Sequence, residues 1–380
     1  MALPRFWRYN QERYAMIGRT CTHCGAHLIS PRLVCPTCRH EITQLAERIF
    51  PALEIQPSSD TQETSPAVTV IIPSYNSEST IRATLSSVIA QDFEEPFEVI
   101  VVDSSSDETP AIISQAFPQV QLIHRGQQTD PGTARNLGIA QARGEIIACL
   151  DSDCAAPADW LQRMVNAQRA GHPIVGGSVE NGNPEKTLAW AGFMGEFREF
   201  IAIGEPRLVQ HQPTCNISYH RSIFTRFGGF PTSFYPQEDL LFHWRLGQQG
   251  IPIWFDPGIT VRHTHRVEWR PYLQHQRRIG HITAQVLELT GDEGAFLARS
   301  PLLSILVAPI LPLVKFSRTL THFVNWRPQI VRRHWGALPL LLMGLYAWVI
   351  GFVAGAWDDP LRVPLRESFS HLATEQSISK

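Results

Sequence analysis

Asp151 and Asp153 are the residues of this chain best suited to do chemistry, separated by one serine at the end of the apolar run Glu145–Leu150. A hard divalent cation such as Mg2+ takes one or two carboxylates and completes its shell with substrate phosphate oxygens. An Asp-x-Asp on a turn therefore suits a metal-bound nucleotide diphosphate. Such a pair also arises by chance roughly once in a chain of this length, as solvated loop acids or a helix cap, so the elements around it must decide. A second chemistry lies in the thiols Cys21-x2-Cys24 and Cys35-x2-Cys38. Pairing within one unit would strain a disulfide, whereas four thiolates hold zinc tetrahedrally and leave no open position for catalysis. The spacing predicts a structural zinc ribbon within residues 1–55, serving folding and partner contact, with a redox dithiol as the alternative. His23, His27 and His40 read as surface residues, and Cys149, Cys154 and Cys215 as buried or free thiols.

The elements that must position the acids are short. Ala67–Ile72 and Phe97–Val102 read as strands, joined by a helix capped by Ser79 that carries Ile81, Leu85, Val88 and Ile89 on one side. Strands at Val120–Ile123 and Glu145–Leu150, around a helix over Gly132–Ala142, continue this βαβ rhythm. They predict an α/β domain with a Rossmann-like, mostly parallel sheet. Asp103 and Asp151 fall just past two strand ends, the edge where open α/β sheets bind ligands. Residues 56–67 lack large apolar groups and read as a linker ahead of this domain.

With 380 residues, 43% of them hydrophobic, the chain can bury a sizeable core. A net charge of -2 gives no global pull toward nucleic acid, although residues 315–333 hold Lys315, Arg318, Arg327, Arg332 and Arg333 without an acid. Residues 336–357 carry no charge over a length that can cross a bilayer. They are expected to form a transmembrane helix, with a buried core helix as the alternative. The run Pro301–Phe316, broken by Pro309 and Pro312, either spans or lies in the interface. The basic segment beside it favours the cytoplasmic face and anionic headgroups. Residues 300–357 are thus expected as membrane-associated helices and 358–380 as a polar tail. Met1–Asn10 has no apolar core of signal-peptide length, which predicts a reducing cytosol around the N-terminal part.

Several motifs recur in a fixed order: Val70-Ile-Ile-Pro-Ser-Tyr-Asn76, Val101-Val-Asp103, Ala134-Arg-Asn-Leu-Gly138, Arg143-Gly-Glu145 and Leu150-Asp-Ser-Asp153. Asn216-Ile-Ser-Tyr219, Phe227-Gly-Gly-Phe230 and Gln237-Glu-Asp-Leu-Leu241 follow. In order and spacing they resemble the family 2 glycosyltransferases of GT-A fold, over residues 68 to about 280 of a domain drawn at 68–290. The resemblance implies an inverting transferase that moves a single sugar from a nucleotide diphosphate sugar, UDP-sugar favoured, to an acceptor hydroxyl. It implies work in cell-surface glycan or glycolipid synthesis at the cytoplasmic face of the cell membrane, with Mg2+ or Mn2+ at the donor site and a lipid-linked or glycan acceptor. Carried over, Pro73, Tyr75 and Asp103 form the base and ribose pocket, Arg135 contacts the donor, and Asp151 and Asp153 hold metal and diphosphate. Asp239 becomes the general base, with Glu238 as the other candidate or as a group orienting the acceptor. Acids at a helix start also favour its dipole, so the pair has a structural reading as well. One of His263 and His265, placed on one face by the strand-like alternation of Arg262–Arg266, resembles a third metal ligand or a diphosphate contact.

This chain departs from the family pattern at two places. Ser104 replaces the second acid expected after Asp103, leaving Asp107 as a substitute. Gln274-His-Gln-Arg-Arg278 lacks the tryptophan of processive members, which favours single transfers, while Trp244, Trp254 and Trp269 stay available for a sugar face. A sugar nucleotidyltransferase would need a glycine-rich, basic phosphate loop after the first strand, and residues 73–78 have neither glycine nor Lys or Arg. A non-catalytic membrane scaffold that binds nucleotide or glycan, recruiting a protein partner through the ribbon, is opposed by Asp151, Asp153 and Asp239 together.

Overall fold

The computed structural model describes residues 21, 23–26, 32–55 and 65–358. His27, most of the expected linker (56–64) and the tail from 359 lie outside the described residues.

Nine described strands form one sheet: β1 Val68–Ser74, β2 Phe97–Asp103, β3 Gln121–His124, β4 Ile146–Leu150, β5 Cys154–Ala155, β6 Ile174–Asn181, β7 Arg207–Val209, β8 Asn216–His220 and β9 Ile253–His263. Their order is β3-β2-β1-β4-β8-β6-β9-β5, with β7 on β9. The β3-β2-β1-β4 half is parallel as expected. Beyond β4 the sheet is mixed, because β8 returns antiparallel to both β4 and β6. β1 is buried along its whole length, the mark of a central strand covered on both faces. Its residues alternate between two cores: Val68, Val70 and Ile72 pack with Ile81, Leu85, Val88 and Trp160, while Ile71 packs with Ile139, Ile147 and Cys149.

Local detail differs from expectation at a few points. β1 and β2 run on to Ser74 and Asp103, so Asp103 closes its strand instead of following it. The helix Ile81–Ile89 starts from Thr80, and no side chain caps it. The helix Pro131–Gln141 is better defined: Asp130 accepts the Thr133 N–H at 3.1 Å and Pro131 occupies the first turn. β9 ends at His263, so Thr264 and His265 continue as loop.

The N-terminal segment shares the second core. Leu33, Leu45, Ile49 and Phe50 pack with Phe224, Phe230, Phe242 and Leu246. Arg245 closes the contact from the side of the sheet domain, pairing with Glu41 at 2.7 Å and lying over the Phe50 ring. At the other end, the helix Trp269–Thr290 packs along Ala337–Trp357, and the helices Pro301–Val307 and Leu311–Trp326 meet at a 62° bend. Ala337–Trp357 is long and apolar enough to cross a membrane, and 44% of its most apolar window is buried inside the protein.

Candidate active site

β1 lies between β2 and β4, so the chain leaves it in opposite directions and opens a crevice at the carboxyl ends of the strands. A cavity of about 770 Å³ fills that crevice and runs from Pro73 and Tyr75 past Asp151 and Asp153 to Glu238, Asp239 and His263. The Asp-x-Asp turn is held from outside: Ser152 bonds Ser77 at 2.7 Å, and its carbonyl accepts from Thr84. The two acids are thereby fixed at the cavity wall, each about one-third exposed.

Arg135 joins the two acidic clusters. It comes from the helix Pro131–Gln141, is 2% exposed, and donates to Asp151 Oδ1 at 2.6 Å and to Glu238 Oε1 at 2.7 Å. Burial would lower its pKa, but the Asp151 and Glu238 carboxylates raise it, so the guanidinium is a fixed positive charge. The neighbouring Asn136 explains how the second cluster is brought in. Its amide donates to the Phe230 carbonyl and its carbonyl accepts the Phe230 N–H, both at 2.8 Å. This clamp needs a bare backbone at Gly229, where a Cβ would come 2.4 Å from Asn136 Oδ1. Gly132 likewise leaves room for Glu238, whose Cγ would lie 3.2 Å from a Cβ there.

The acidic pair opens the helix Glu238–Gln248, and its two members differ. Glu238 is buried, and burial together with Asp239 pushes its pKa up to about 8 against the pull of Arg135. Its Oε2 is buried with no hydrogen-bond partner among the described residues, and the residue borders the cavity. Asp239 is half-buried and accepts the backbone N–H groups of Thr214 and Leu240 at 3.2 and 2.7 Å. It carries no salt bridge among the described residues, so its carboxylate faces the cavity unpaired by any cation.

Of the two histidines, His263 meets the acids: its Nε2 lies 3.5 Å from Asp153 Oδ1, with the Cys154 thiol alongside. Two protein donors converge there and the cavity leaves the other positions to a ligand, which fits an open cation site of the Mg2+ or Mn2+ kind. His265 is buried against Phe193 and Phe197, and burial lowers its pKa well below the usual imidazole range. It also lines the cavity, its ring 4.5 Å from that of His263.

Pro73 and the exposed Tyr75 line the cavity, whereas Asp103 does not. Asp103 is fully buried, accepting the Ser105 hydroxyl at 2.5 Å and its N–H at 3.1 Å, with His124 Nδ1 at 2.8 Å. Ser105 in turn accepts the Asn76 N–H, so Asp103 shapes the loop beside Tyr75 from below. Asp107 accepts backbone N–H groups of Glu78 and Thr109 and also lies off the cavity. Trp244, Trp254 and Trp269 are not among the lining residues. The sequence reading missed Glu196 and His275, which line the far end. Burial opposes the Glu196 charge, but His275 at 3.7 Å and Arg266 hold the carboxyl well below its usual range, and Gln276 donates to it at 2.7 Å. Nothing local marks these residues, since the contact joins helices 80 residues apart.

The cysteine cluster forms as expected. Cys21 and Cys38, and Cys24 and Cys35, stand 3.7 Å apart. Two sulfurs at about 2.3 Å from one tetrahedral zinc are about 3.8 Å apart, so the spacing fits that ion. His23 and His40 stack on each other at the surface, outside the thiol set.

The model of glycosyl transferase family 2 matches residues 69–228, spanning the first eight strands and the Asp-x-Asp turn. Glycosyltransferase AglE of Haloferax volcanii is 30% identical over 234 residues, which cover 59% of this chain and 75% of that protein. The chain belongs to the family 2 glycosyltransferases. Other relatives of this transferase match over less of their length. The succinoglycan biosynthesis protein ExoO of Rhizobium meliloti is 42% identical over 111 residues, 29% of this chain and 32% of that one. The pre-mycofactocin glycosyltransferase of Mycobacterium tuberculosis is 26% identical over 274 residues, 68% and 55%. Beyond AglE, the chain thus spans about a third to a half of these relatives. Among solved structures, a mannosyltransferase from Pyrobaculum calidifontis aligns over 86% of this chain and 83% of that one, at 19% identity and a TM-score of 0.45.

Proposed function

We propose that this transferase is inverting and moves one sugar from a nucleotide diphosphate sugar, a UDP-sugar in the first instance, to an acceptor hydroxyl. The observation that carries the reading is Arg135, which ties Asp151 to Glu238, so that both acidic clusters border one cavity. In the proposed step the acceptor oxygen attacks the anomeric carbon from the Asp239 side. The bond from that carbon to the diphosphate oxygen breaks, and its electron pair leaves with the diphosphate. Asp239 takes the hydroxyl proton, for which its unpaired carboxylate is suited. Glu238, mostly protonated near neutral pH, orients the acceptor. Pro73 and Tyr75 border the base and ribose, and Asp103 acts through the loop it holds. Asp151, Asp153 and His263 would hold Mg2+ or Mn2+, which when bound neutralises charge building on the departing diphosphate. Zn2+ at the four N-terminal cysteines is structural.

Five cations and no acid in residues 301–357 support a membrane location with the catalytic domain on the cytoplasmic face, and hence a lipid-linked or glycan acceptor. The test is a donor screen: purified protein with Mn2+ or Mg2+ and a panel of nucleotide sugars, then mass spectrometry of products formed with membrane extracts. Release of nucleoside diphosphate from one donor and a product heavier by one sugar are expected. No turnover of any donor, or turnover unaffected by Asp239→Asn, would sink the assignment.

A further inference from the structure

The helix Ala337–Trp357 has the composition of a membrane span, yet its packing ties it to a helix that cannot follow it into hydrocarbon. Gly344 sits against Tyr272, Gly351 against the Arg277 carbonyl and Gly355 against the His281 carbonyl, with Gly280 against Trp348. A Cβ on Gly351 would lie 1.8 Å from the Arg277 oxygen, so the two backbones touch. The paired positions rise together, which means that the helices run side by side in the same direction. Trp269–Thr290 carries Arg270, Arg277, Arg278 and Glu288, and its first turns supply Pro271 and His275 to the cavity. A crossing by Ala337–Trp357 would carry Arg277 and Arg278 to the same depth, which bilayers strongly oppose.

Ala337–Trp357 keeps an exposed apolar face at Met343, Tyr346, Ile350 and Trp357, and the exposed apolar surface is densest on the 62° bend. Leu302, Ile305, Leu306, Ile310, Leu313 and Val314 are all between 47% and 74% exposed. Along Leu311–Trp326 the exposed stripe turns polar one turn later, at Ser317, Arg318 and Thr321, and Val324 and Trp326 are exposed again at its end. An apolar tip followed by a cationic shoulder is the pattern of a segment that enters one leaflet and stops at the headgroups. The charge agrees: residues 301–357 hold Lys315, Arg318, Arg327, Arg332 and Arg333 and no acid, although the whole chain is net negative. Arg318, Arg332 and Arg333 are exposed.

We propose that Pro301–Trp357 docks this transferase on one leaflet of an anionic bilayer, the bend dipping into hydrocarbon and Ala337–Trp357 lying against the catalytic domain without crossing. The proposal rests on the membrane reading above, and not on the identity of donor or acceptor. It holds the cavity at a set height over the leaflet, because the helix that begins at the cavity is the one packed on the docking segment.

The test adds full-length protein to preformed sealed vesicles of phosphatidylcholine with and without phosphatidylglycerol. Sedimentation with the anionic vesicles is expected, weakened about 25-fold by Arg332→Gln with Arg333→Gln, at about fivefold per arginine. Leu306→Glu with Ile310→Glu, both at exposed positions, is expected to abolish sedimentation while donor turnover in detergent is kept. That turnover separates failure of docking from failure of the transferase reading. A membrane-impermeant maleimide should label both Arg333→Cys and a cysteine appended after Lys380 from outside, read by peptide mass spectrometry so that native cysteines are not counted. Protection of either site, absence of anionic binding, or undiminished binding of the glutamate variant overturns the proposal.

Discussion

Replacing Arg135 by methionine tests the junction on which the site depends. The substitution keeps an unbranched chain of similar length and removes a charge that is 2% exposed and bonded to carboxylates at 2.6 and 2.7 Å. Removing one partner of a buried pair costs about 3–5 kcal/mol, because the other charge is left unpaired in a poor solvent. Measured above about pH 8, where Glu238 is ionised, most of that cost belongs to Glu238, whose side chain is 5% exposed; Asp151, at 30%, is partly screened by water. A domain of this size loses about 2–4 °C in Tm per kcal/mol, so Arg135→Met should melt about 10 °C lower. Donor turnover should fall at least about 100-fold, since Asp151 and Glu238 lose the group that fixes their positions. Adding Glu238→Gln to Arg135→Met is the discriminating step. Above about pH 8 it removes the unpaired charge and should recover at least about 2 kcal/mol of stability without recovering turnover. Thermal unfolding of the wild type, both single variants and the double variant, with kcat and KM for the best donor, completes the cycle. A loss below about 1 kcal/mol for Arg135→Met, or a double variant less stable than the single one, would refute the reasoning.

The remaining expectations concern pH, metal and the ribbon. Glu238 has a folded pKa of about 8, above the carboxylate value of the unfolded chain, so it costs nothing at low pH and increasingly destabilises the fold as pH rises toward 8. Glu238→Gln should therefore gain stability relative to wild type between about pH 5 and pH 8, measured by denaturant unfolding; a difference that does not change with pH contradicts this. Asp153→Asn and His263→Ala should each raise the Mn2+ concentration for half-maximal turnover at least about tenfold, whereas His265→Ala changes it less; equal effects of the two histidines would remove His263 from the cation site. Elemental analysis should find one zinc per chain, lost with Cys35→Ser. Because Glu41 and Phe50 pack on Arg245 of the helix that begins with Glu238, the same variant should lower Tm and turnover together, and a zinc-free protein with both unchanged would show the ribbon to be idle.

The sequence by itself determined what short stretches can encode. Buried apolar runs and the Asp151-Ser-Asp153 turn follow from neighbours within a few positions, and they placed one acidic cluster at the strand ends. The paired thiols also spoke for themselves, since metal geometry limits the spacing of ligands. Tertiary structure alone decided the rest. Arg135 and Glu238 are 103 residues apart and became partners through Asn136 and a bare glycine on the facing segment. His263 meets Asp153 whereas His265, its ring 4.5 Å away, packs on Phe193 and Phe197, and Asp103 was turned inward by Ser105 and His124. Hydropathy could measure the length of Ala337–Trp357 but not that its glycines pack against the backbone of Trp269–Thr290. Local periodicity sums propensities along the chain, whereas charge pairing, burial and depth depend on groups brought together by folding.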